Sequence, residues 1–126
     1  MIIIGITGSI GMGKTTIARM VQCFSIPIFD SDREVKDILE NSDNAISHVA
    51  KTWPNVIIKE NKRRKLDKIL LSKIIFSNKI EREKLERIIH PLVRKKRDVF
   101  IKNNQNSYII ALDIPLLYET GTDKIC

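Results

Sequence analysis

The apolar and polar positions follow a strand pattern near both ends of the chain and a helical pattern in its middle. Residues 2–6 form a short apolar run rich in β-branched side chains, which predicts a strand buried on both faces of a parallel sheet. Residues 26–29 and 108–112 predict a second and a third strand. Pro27 lacks a ladder donor, so it indicates a sheet edge or the start of a strand. We therefore predict a parallel sheet built from the two ends of the chain.

Two helices are predicted before the middle of the chain, one after each of the first two strands. Apolar side chains share one face of residues 14–24, which predicts a helix directly after the first strand. A Ser-Asp-Arg-Glu capping box at residues 31–34 predicts a second helix that runs through Leu39. The order strand, helix, strand is typical of a βαβ unit.

Residues 41–106 interrupt this α/β order as a helical insertion. Apolar positions recur there at helical spacing, and residues 56–58 give the one weak strand signal. The pair His90-Pro91 predicts that one helix ends and another begins, because proline favours the first helical position. Trp53, before a proline, is interpreted as core packing rather than as a stacking platform.

Composition limits the class of protein. A chain of 126 residues with 43% hydrophobic and 29% charged residues can form one globular domain but not two independent ones. No run approaches the ~18–20 apolar residues of a membrane span. The N-terminal run lacks the basic leader of a signal peptide, and Cys23 and Cys126 form no metal or disulfide pattern. We expect a cytoplasmic protein with no membrane partner.

The net charge of +7 raises the question of a nucleic-acid partner. Lys and Arg concentrate at residues 59–65 and 94–97, and neither cluster is interleaved with the aromatic side chains of a base-stacking surface. A solvated surface or attraction of phosphate-bearing ligands explains both clusters. We expect no nucleic-acid partner.

A glycine-rich segment with P-loop spacing follows the first strand and leads into the first helix. Its glycines let successive backbone N–H groups converge on a phosphate at the positive end of the helix. Lys14 can reach the β- and γ-phosphates of a nucleoside triphosphate, and the Thr15 hydroxyl can hold Mg²⁺. Met12 occupies a variable position and is no ligand through sulfur. The predicted nucleotide-binding residues are Gly8, Gly11, Met12, Gly13, Lys14, Thr15 and Thr16.

Carboxylates follow the other two predicted strands. Asp30 and Asp32 come after the second strand, and Asp113 ends the third. Ligands of such sheets bind at the carboxyl ends of the strands, so these residues and the P-loop are predicted to share one crevice. Asp32 fits a base for an acceptor hydroxyl or a carboxylate at a helix N-terminus, and Asp30 has the same two interpretations, with capping favoured. Asp113 fits a carboxylate near Mg²⁺ or a turn residue before Pro115.

His90 also has two interpretations. An imidazole can contact an acceptor or take part in acid–base chemistry. A histidine that directly precedes a proline is also a common helix-start residue. Both interpretations stay open on the residues alone.

Four motifs in this order resemble bacterial dephospho-CoA kinases over the whole chain. They are the P-loop at residues 5–16, the Asp-x-Asp segment 29–32, the helix ending in His-Pro at residues 85–93, and the Pro-Leu-Leu-Tyr-Glu segment with its preceding Asp at residues 113–119. The P-loop alone is generic to many NTPases. The four motifs together, with a helical insertion between them, are highly specific.

The resemblance implies an α/β fold, the three-layer P-loop kinase fold with a parallel sheet. It places an incomplete nucleotide-binding core at residues 1–40 and 107–126, and an acceptor-binding insertion at residues 41–106. It also implies phosphorylation of the 3′-hydroxyl of dephospho-CoA by ATP with Mg²⁺. A catalytically silent nucleotide-binding module and a kinase for another small molecule are the alternatives.

The resemblance also assigns roles to residues. Asp32 is implied as the base, Lys14 as a catalytic cation, and Thr15 and Asp113 as metal ligands. The acceptor-binding residues that it implies are Asp30, Asp32, His90, Pro115, Leu116, Leu117 and Glu119.

The chain departs from the family pattern in two respects. Asp67-Lys68 stands where the family commonly has Asp-Arg, and lysine loses the bidentate geometry of arginine toward phosphate. Family members are also longer, and their lid arginines, two sheet strands and adenine-binding segment fall beyond this chain. We expect either a truncated gene product or a second polypeptide that supplies the rest. We also expect an apolar edge on the first strand.

Overall fold

The computed structural model describes residues 1–7, 19–21 and 23–114. The glycine-rich segment, most of the predicted first helix and residues 115–126 lie outside the described residues. Residues 19–21 and 23 are helical, as the predicted first helix requires.

Strands and helices are mixed along the described part of the chain. The strands are β1 (Ile2–Ile6), β2 (Ile28–Asp30), β3 (Ile57–Glu60), β4 (Arg63–Leu66) and β5 (Ile109–Asp113). The helices are α1 (Ser31–Asn41), α2 (Asp43–Thr52), α3 (Lys68–Phe76) and α4 (Lys79–Asn103), and a 3₁₀ turn (Pro54–Val56) follows α2.

The chain divides into two compact units. The first combines Met1–Glu34 with the residues from Lys96 onward, and the second is Val35–Lys95. The predicted division at residues 40 and 106 stays a prediction.

The first unit contains the predicted parallel sheet. Its strand order is β1-β5-β2, and β5 pairs in parallel with both neighbours. The middle strand β5 contributes most to the core of this unit, because Ile110, Ala111 and Leu112 are all fully buried. Pro27 precedes β2, and its carbonyl accepts a hydrogen bond from Ala111 N at 2.9 Å. The prediction of an α/β fold with a parallel sheet is confirmed.

The prediction that the first strand is buried on both faces is wrong. Among the described residues β1 pairs only with β5, so it is an edge of the sheet. Ile2 is 61% exposed and Ile4 is 37% exposed, while Ile6 is buried. Strand β1 therefore presents the apolar edge that was expected from the family resemblance.

The predicted helix break at His90-Pro91 is also wrong. Helix α4 continues through Pro91 to Asn103. Proline removes the hydrogen bond to the carbonyl four residues earlier, here that of Arg87. Arg87 and Pro91 are both exposed, so water can reach that carbonyl. Ile89 before the proline and Leu92 after it pack on the same core, which holds both parts of the helix in place.

The second unit has a hydrophobic core of its own. Helices α1 to α4, the 3₁₀ turn and the end of β4 all contribute to it. Its buried members are Ile38, Ala45, Ile46, Val49, Trp53, Val56, Leu66, Leu71, Leu85 and Ile89. Trp53 is 6% exposed, so its interpretation as core packing is confirmed.

The weak strand signal predicted at residues 56–58 belongs largely to a β-hairpin, because β3 begins at Ile57. Strands β3 and β4 are antiparallel, and Glu60 pairs with Arg63 across a turn of two residues. Asn61 and Lys62, the two turn residues, have φ angles of 50° and 65°. A two-residue turn with positive φ at both positions is type I′, which matches the twist of the flanking strands.

Replacing Lys62 by glycine is expected to stabilise the second unit by about 0.5–1 kcal/mol. A non-glycine residue at positive φ costs roughly 1–2 kcal/mol, which glycine avoids, although its greater freedom in the unfolded chain offsets part of the gain. Urea unfolding followed by fluorescence of Trp53 measures the change. Lys59→Gly, inside β3, is the matched control and should instead destabilise the unit. Equal effects of both glycines would contradict the turn assignment.

Trp53 and Glu81 connect the end of α2 to the first turn of α4. The indole Nε1 donates a hydrogen bond to Glu81 Oε2 at 2.6 Å, and Lys84 Nζ lies 3.2 Å from Glu81 Oε1. The hydrogen bond from Trp53 and the bond and charge of Lys84 lower the pKa of Glu81 below its ordinary value of 4.5. The carboxylate therefore stays ionised at a lower pH in the folded state than in the unfolded chain.

This pKa difference predicts acid sensitivity. A carboxyl group with a lowered folded pKa stabilises the fold above the unfolded pKa and loses that contribution as pH falls through the folded value. The unfolding free energy of Glu81→Gln should therefore decline less below pH ~4.5 than that of the unmodified chain. Chemical unfolding at stepped pH values measures the decline. Glu83→Gln, an exposed position on the same helix, is the control, and an acid slope changed equally by both variants would contradict the role of Glu81.

No helix in the described part of the chain combines the length and the apolar character that a membrane crossing needs.

Candidate active site

The carboxyl ends of the three parallel strands meet at one row of the sheet. Asp113, the last residue of β5, is in register with Ile6 at the end of β1 and with Asp30 at the end of β2. Adjacent strands lie about 4.8 Å apart, so this row brings the two aspartates close together. The ladder continues one step further, because Ile114 N donates to Ile6 O at 3.0 Å. The predicted convergence of strand ends is therefore present in the sheet.

Asp30 caps helix α1. Its Oδ1 accepts a hydrogen bond from Arg33 N at 3.2 Å, which satisfies one of the free N–H groups in the first turn. The capping box had assigned this function to Ser31, which instead is the first residue of the helix and is buried. The capping interpretation of Asp30 is thus supported, and its predicted contact with an acceptor stays a prediction.

Asp32 lies in the first turn of α1, two residues after the end of β2. Its side chain is exposed, so a ligand hydroxyl can approach it. An exposed carboxylate in the first turn of this helix can accept a proton from such a hydroxyl.

Asp113 is a buried carboxylate at the end of the central strand. It is 8% exposed, whereas the three strand residues directly before it are fully buried and apolar. Buried charges in proteins are paired or coordinate metal ions. A position at the end of the middle strand is therefore compatible with the metal ligation predicted for Asp113.

Lys96 is a residue that the sequence did not single out by itself. Its Nζ lies 3.1 Å from Glu34 Oε2, near the first turn of α1, within the first unit. The ring of Phe100, four residues later, lies 5.6 Å from that of Phe29 in β2. These contacts hold the C-terminal part of α4 against the strand that carries Asp30. The cluster at residues 94–97 was the only sequence signal for this position.

The second basic cluster covers the β3–β4 hairpin. Residues 58–65 are all exposed, in agreement with a solvated surface. Arg64 donates to Ser47 Oγ at 2.7 Å, and Lys68 pairs with Glu40. Lys68 is the residue that stands in place of the family's arginine, and here its ammonium group is held by a carboxylate.

His90 lies within α4, half-buried, in the second unit. It does not start a helix, so the helix-start interpretation is wrong. Its predicted contact with an acceptor stays a prediction.

The remaining predicted residues lie outside the described part of the chain. They are Gly8, Gly11, Met12, Gly13, Lys14, Thr15, Thr16, Pro115, Leu116, Leu117 and Glu119. Their roles stay predictions. The described residues contain no cluster of three or more His, Cys, Asp or Glu side chains that could hold a metal ion.

Comparisons with known proteins agree on one family. The family model described as dephospho-CoA kinase matches residues 2–126. A dephospho-CoA kinase of Prochlorococcus marinus is 34% identical over 98% of this chain and 61% of its own length. One of Bacillus licheniformis is 36% identical over 98% of this chain and 64% of its own length.

Solved structures give the same result. A crystal structure from Thermus thermophilus matches with a TM-score of 0.73 and 30% identity, over 98% of this chain and 61% of that one. The dephospho-CoA kinase from Campylobacter jejuni matches with a TM-score of 0.68 and 27% identity, over 94% of this chain and 59% of that one. The chain thus spans about three fifths of the length of these relatives. Since the family model covers nearly every residue, the chain belongs to the dephospho-CoA kinase family.

Proposed function

We propose that this chain phosphorylates the 3′-hydroxyl of dephospho-CoA with ATP and so forms coenzyme A. Family membership supports the reaction class. One observation carries the location of the site: Ile6, Asp30 and Asp113 lie in register at the carboxyl end of the sheet. The P-loop sequence starts two residues after Ile6, so the same row would receive the triphosphate.

The proposed step is an in-line phosphoryl transfer. Asp32 accepts the proton of the 3′-hydroxyl while that oxygen forms a bond to the γ-phosphorus of ATP. The bond from this phosphorus to the β–γ bridging oxygen breaks, and ADP leaves. Lys14 and the P-loop amides neutralise the charge on the transferred group. The exposure of Asp32 in the first turn of α1 supports its assignment as the base.

The residues present fit a magnesium ion. Mg²⁺ in phosphoryl-transfer sites is held by one or two carboxylates and by the phosphates of the substrate, without a full cage of protein ligands. Asp113, a buried carboxylate at the end of β5, supplies such a group, and the Thr15 hydroxyl is the proposed second ligand. When bound, the ion would neutralise charge on the β- and γ-phosphates.

The test incubates the purified chain with ATP, MgCl₂ and dephospho-CoA and detects coenzyme A by mass spectrometry. The matched control is a 3′-deoxy analogue of dephospho-CoA, which lacks the acceptor oxygen. We expect product only with the natural acceptor. No product at high protein concentration would contradict independent catalysis by this chain.

Two further arms separate the alternatives. Thermal unfolding with ATP alone and with each acceptor reports binding, because a ligand of the folded state raises the melting temperature. Stabilisation by ATP without turnover would identify a nucleotide-binding module. Stabilisation by a different acceptor, but not by dephospho-CoA, would identify another small-molecule kinase. We also propose that a second polypeptide with the remaining family segments would raise turnover in the same assay.

A further inference from the structure

Helix α3 exposes an apolar face on the second unit. Ile69 is 72% exposed and Phe76 is 86% exposed, whereas Leu71 on the opposite side is buried in the core. Ile69, Ser72, Lys73 and Phe76, together here called the α3 face, line an open groove of about 530 Å³ with Lys68 at its end. Large apolar side chains that are grouped and rimmed by polar residues mark interaction sites.

The spacing of the α3 face defines the shape of its occupant. Its four residues stand at positions i, i+3, i+4 and i+7 of one helix. Four residues at this spacing form the hole that receives a single side chain of a facing helix in knobs-into-holes packing. Ser72 is the small residue of the set, so a side chain of a facing helix can approach α3 between Ile69 and Phe76. The open groove therefore suits the apolar face of another helix.

The charge around the α3 face selects the polar residues of that helix. Residues 68–80 contain three lysines and no acidic residue. Lys73 makes no ion pair with any described residue, and Lys68 at the rim pairs with Glu40. Carboxylates on a facing helix would complement the ammonium group of Lys73. A second copy of this chain would instead bring lysines against lysines.

We propose that the α3 face binds an acidic amphipathic helix, which inserts an apolar side chain between Ile69 and Phe76 and places carboxylates beside Lys73. This inference goes beyond the proposed kinase function and does not depend on it, because no catalytic residue lies on α3. The occupant is defined by its chemistry alone: a helix with an apolar stripe and flanking Glu or Asp residues.

A designed peptide tests the proposal with the full chain. The probe is a labelled helix of about three heptads with Leu at the a and d positions and Glu at e and g. The control probe carries Lys at e and g. Fluorescence anisotropy should show binding of the Glu peptide. The affinity for the Lys peptide should be lower by roughly tenfold or more. Added salt should weaken the Glu peptide's binding.

Substitutions in the chain locate the interaction. Ser72→Arg fills the hole and Phe76→Gln removes one wall, and both positions are exposed, so the fold should persist by circular dichroism. Each should weaken binding of the Glu peptide by roughly tenfold or more. Val99→Gln, at an exposed apolar position on α4, is the matched control and should bind as the unmodified chain does.

Three results would overturn the proposal. The first is equal binding of both peptides, and the second is binding that Ser72→Arg and Phe76→Gln leave unchanged. The third is absence of peptide binding together with binding to phosphatidylserine vesicles that these two variants abolish. That third result would assign the α3 face to an anionic membrane surface instead.

Discussion

Asp32→Asn is expected to lower the rate of coenzyme A formation by roughly 10²–10⁴-fold, the range that general base catalysis supplies. Asparagine has nearly the same shape as aspartate but cannot accept the proton of the acceptor hydroxyl. The exposed position of Asp32 in the first turn of α1 makes a large change in the fold unexpected. Loss of the favourable charge at the helix N-terminus costs only about 0.3–1 kcal/mol.

Asp37→Asn is the matched control for this prediction. Asp37 lies on the same helix, is exposed, and accepts a hydrogen bond from Asn41 Nδ2 at 2.8 Å, which an amide oxygen can also accept. Initial rates at saturating ATP and dephospho-CoA compare the variants, and melting temperatures check that both remain folded. Equal rates for Asp32→Asn and the unmodified chain would remove Asp32 from the role of base. Equal losses in both variants would assign the effect to helix α1 rather than to the proton transfer.

The sheet and the row of aspartates at its carboxyl edge could be predicted because their signals are local. Short β-branched runs identify β1, β2 and β5, and in a parallel sheet their carboxyl ends must lie at one edge. The position of Asp113 then follows from its place directly after an apolar strand. The exposure of β1 could not be predicted from its own residues, because a buried strand and an apolar edge strand have the same sequence pattern, and it was expected only from the family resemblance. Only the number of its neighbours separates them.

The N-cap of α1 and the continuation of α4 through Pro91 were misassigned because local sequence preferences compete with tertiary packing. Asp30 and Ser31 are both good capping residues, and the choice depends on where β2 ends. Pro91 favours a helix start locally, by roughly 3 kcal/mol against an interior position. Burial of α4 side chains on both sides of Pro91 outweighs that preference, and no local pattern reports this burial.

The β3–β4 hairpin could not be predicted because its sequence pattern is weak. Strand β4, Arg-Arg-Lys-Leu, reads as a basic cluster because only Leu66 points into the core. Its register comes from the turn at Asn61 and Lys62, which lacks the Asn-Gly signature of a type I′ turn. A hairpin with one buried side chain and an atypical turn gives almost no hydrophobic alternation.

Trp53→Ala is expected to destabilise the second unit by about 3–5 kcal/mol, the largest single stability effect we predict. The indole is 6% exposed and belongs to the core cluster that includes Val49 and Val56. Its removal leaves a cavity that this core can only partly refill, and it leaves Glu81 without the indole hydrogen bond. Domains of this size are stable by only about 5–15 kcal/mol, so partial unfolding at moderate temperature is expected. Circular dichroism must follow the transition, since the chain has a single tryptophan.

Trp53→Phe and Phe76→Ala divide this effect into its parts. Phenylalanine keeps most of the buried ring but cannot donate to Glu81, so Trp53→Phe should cost clearly less than Trp53→Ala if packing dominates. Phe76 is an aromatic side chain of the same unit that is 86% exposed, and its truncation should change stability by less than about 0.5 kcal/mol. Equal losses for Trp53→Ala and Trp53→Phe would mean that the hydrogen bond between α2 and α4, and not the filled core, carries the stability. Core packing and the Trp53–Glu81 hydrogen bond predict different rankings of the three variants by stability. One set of unfolding curves therefore decides between them.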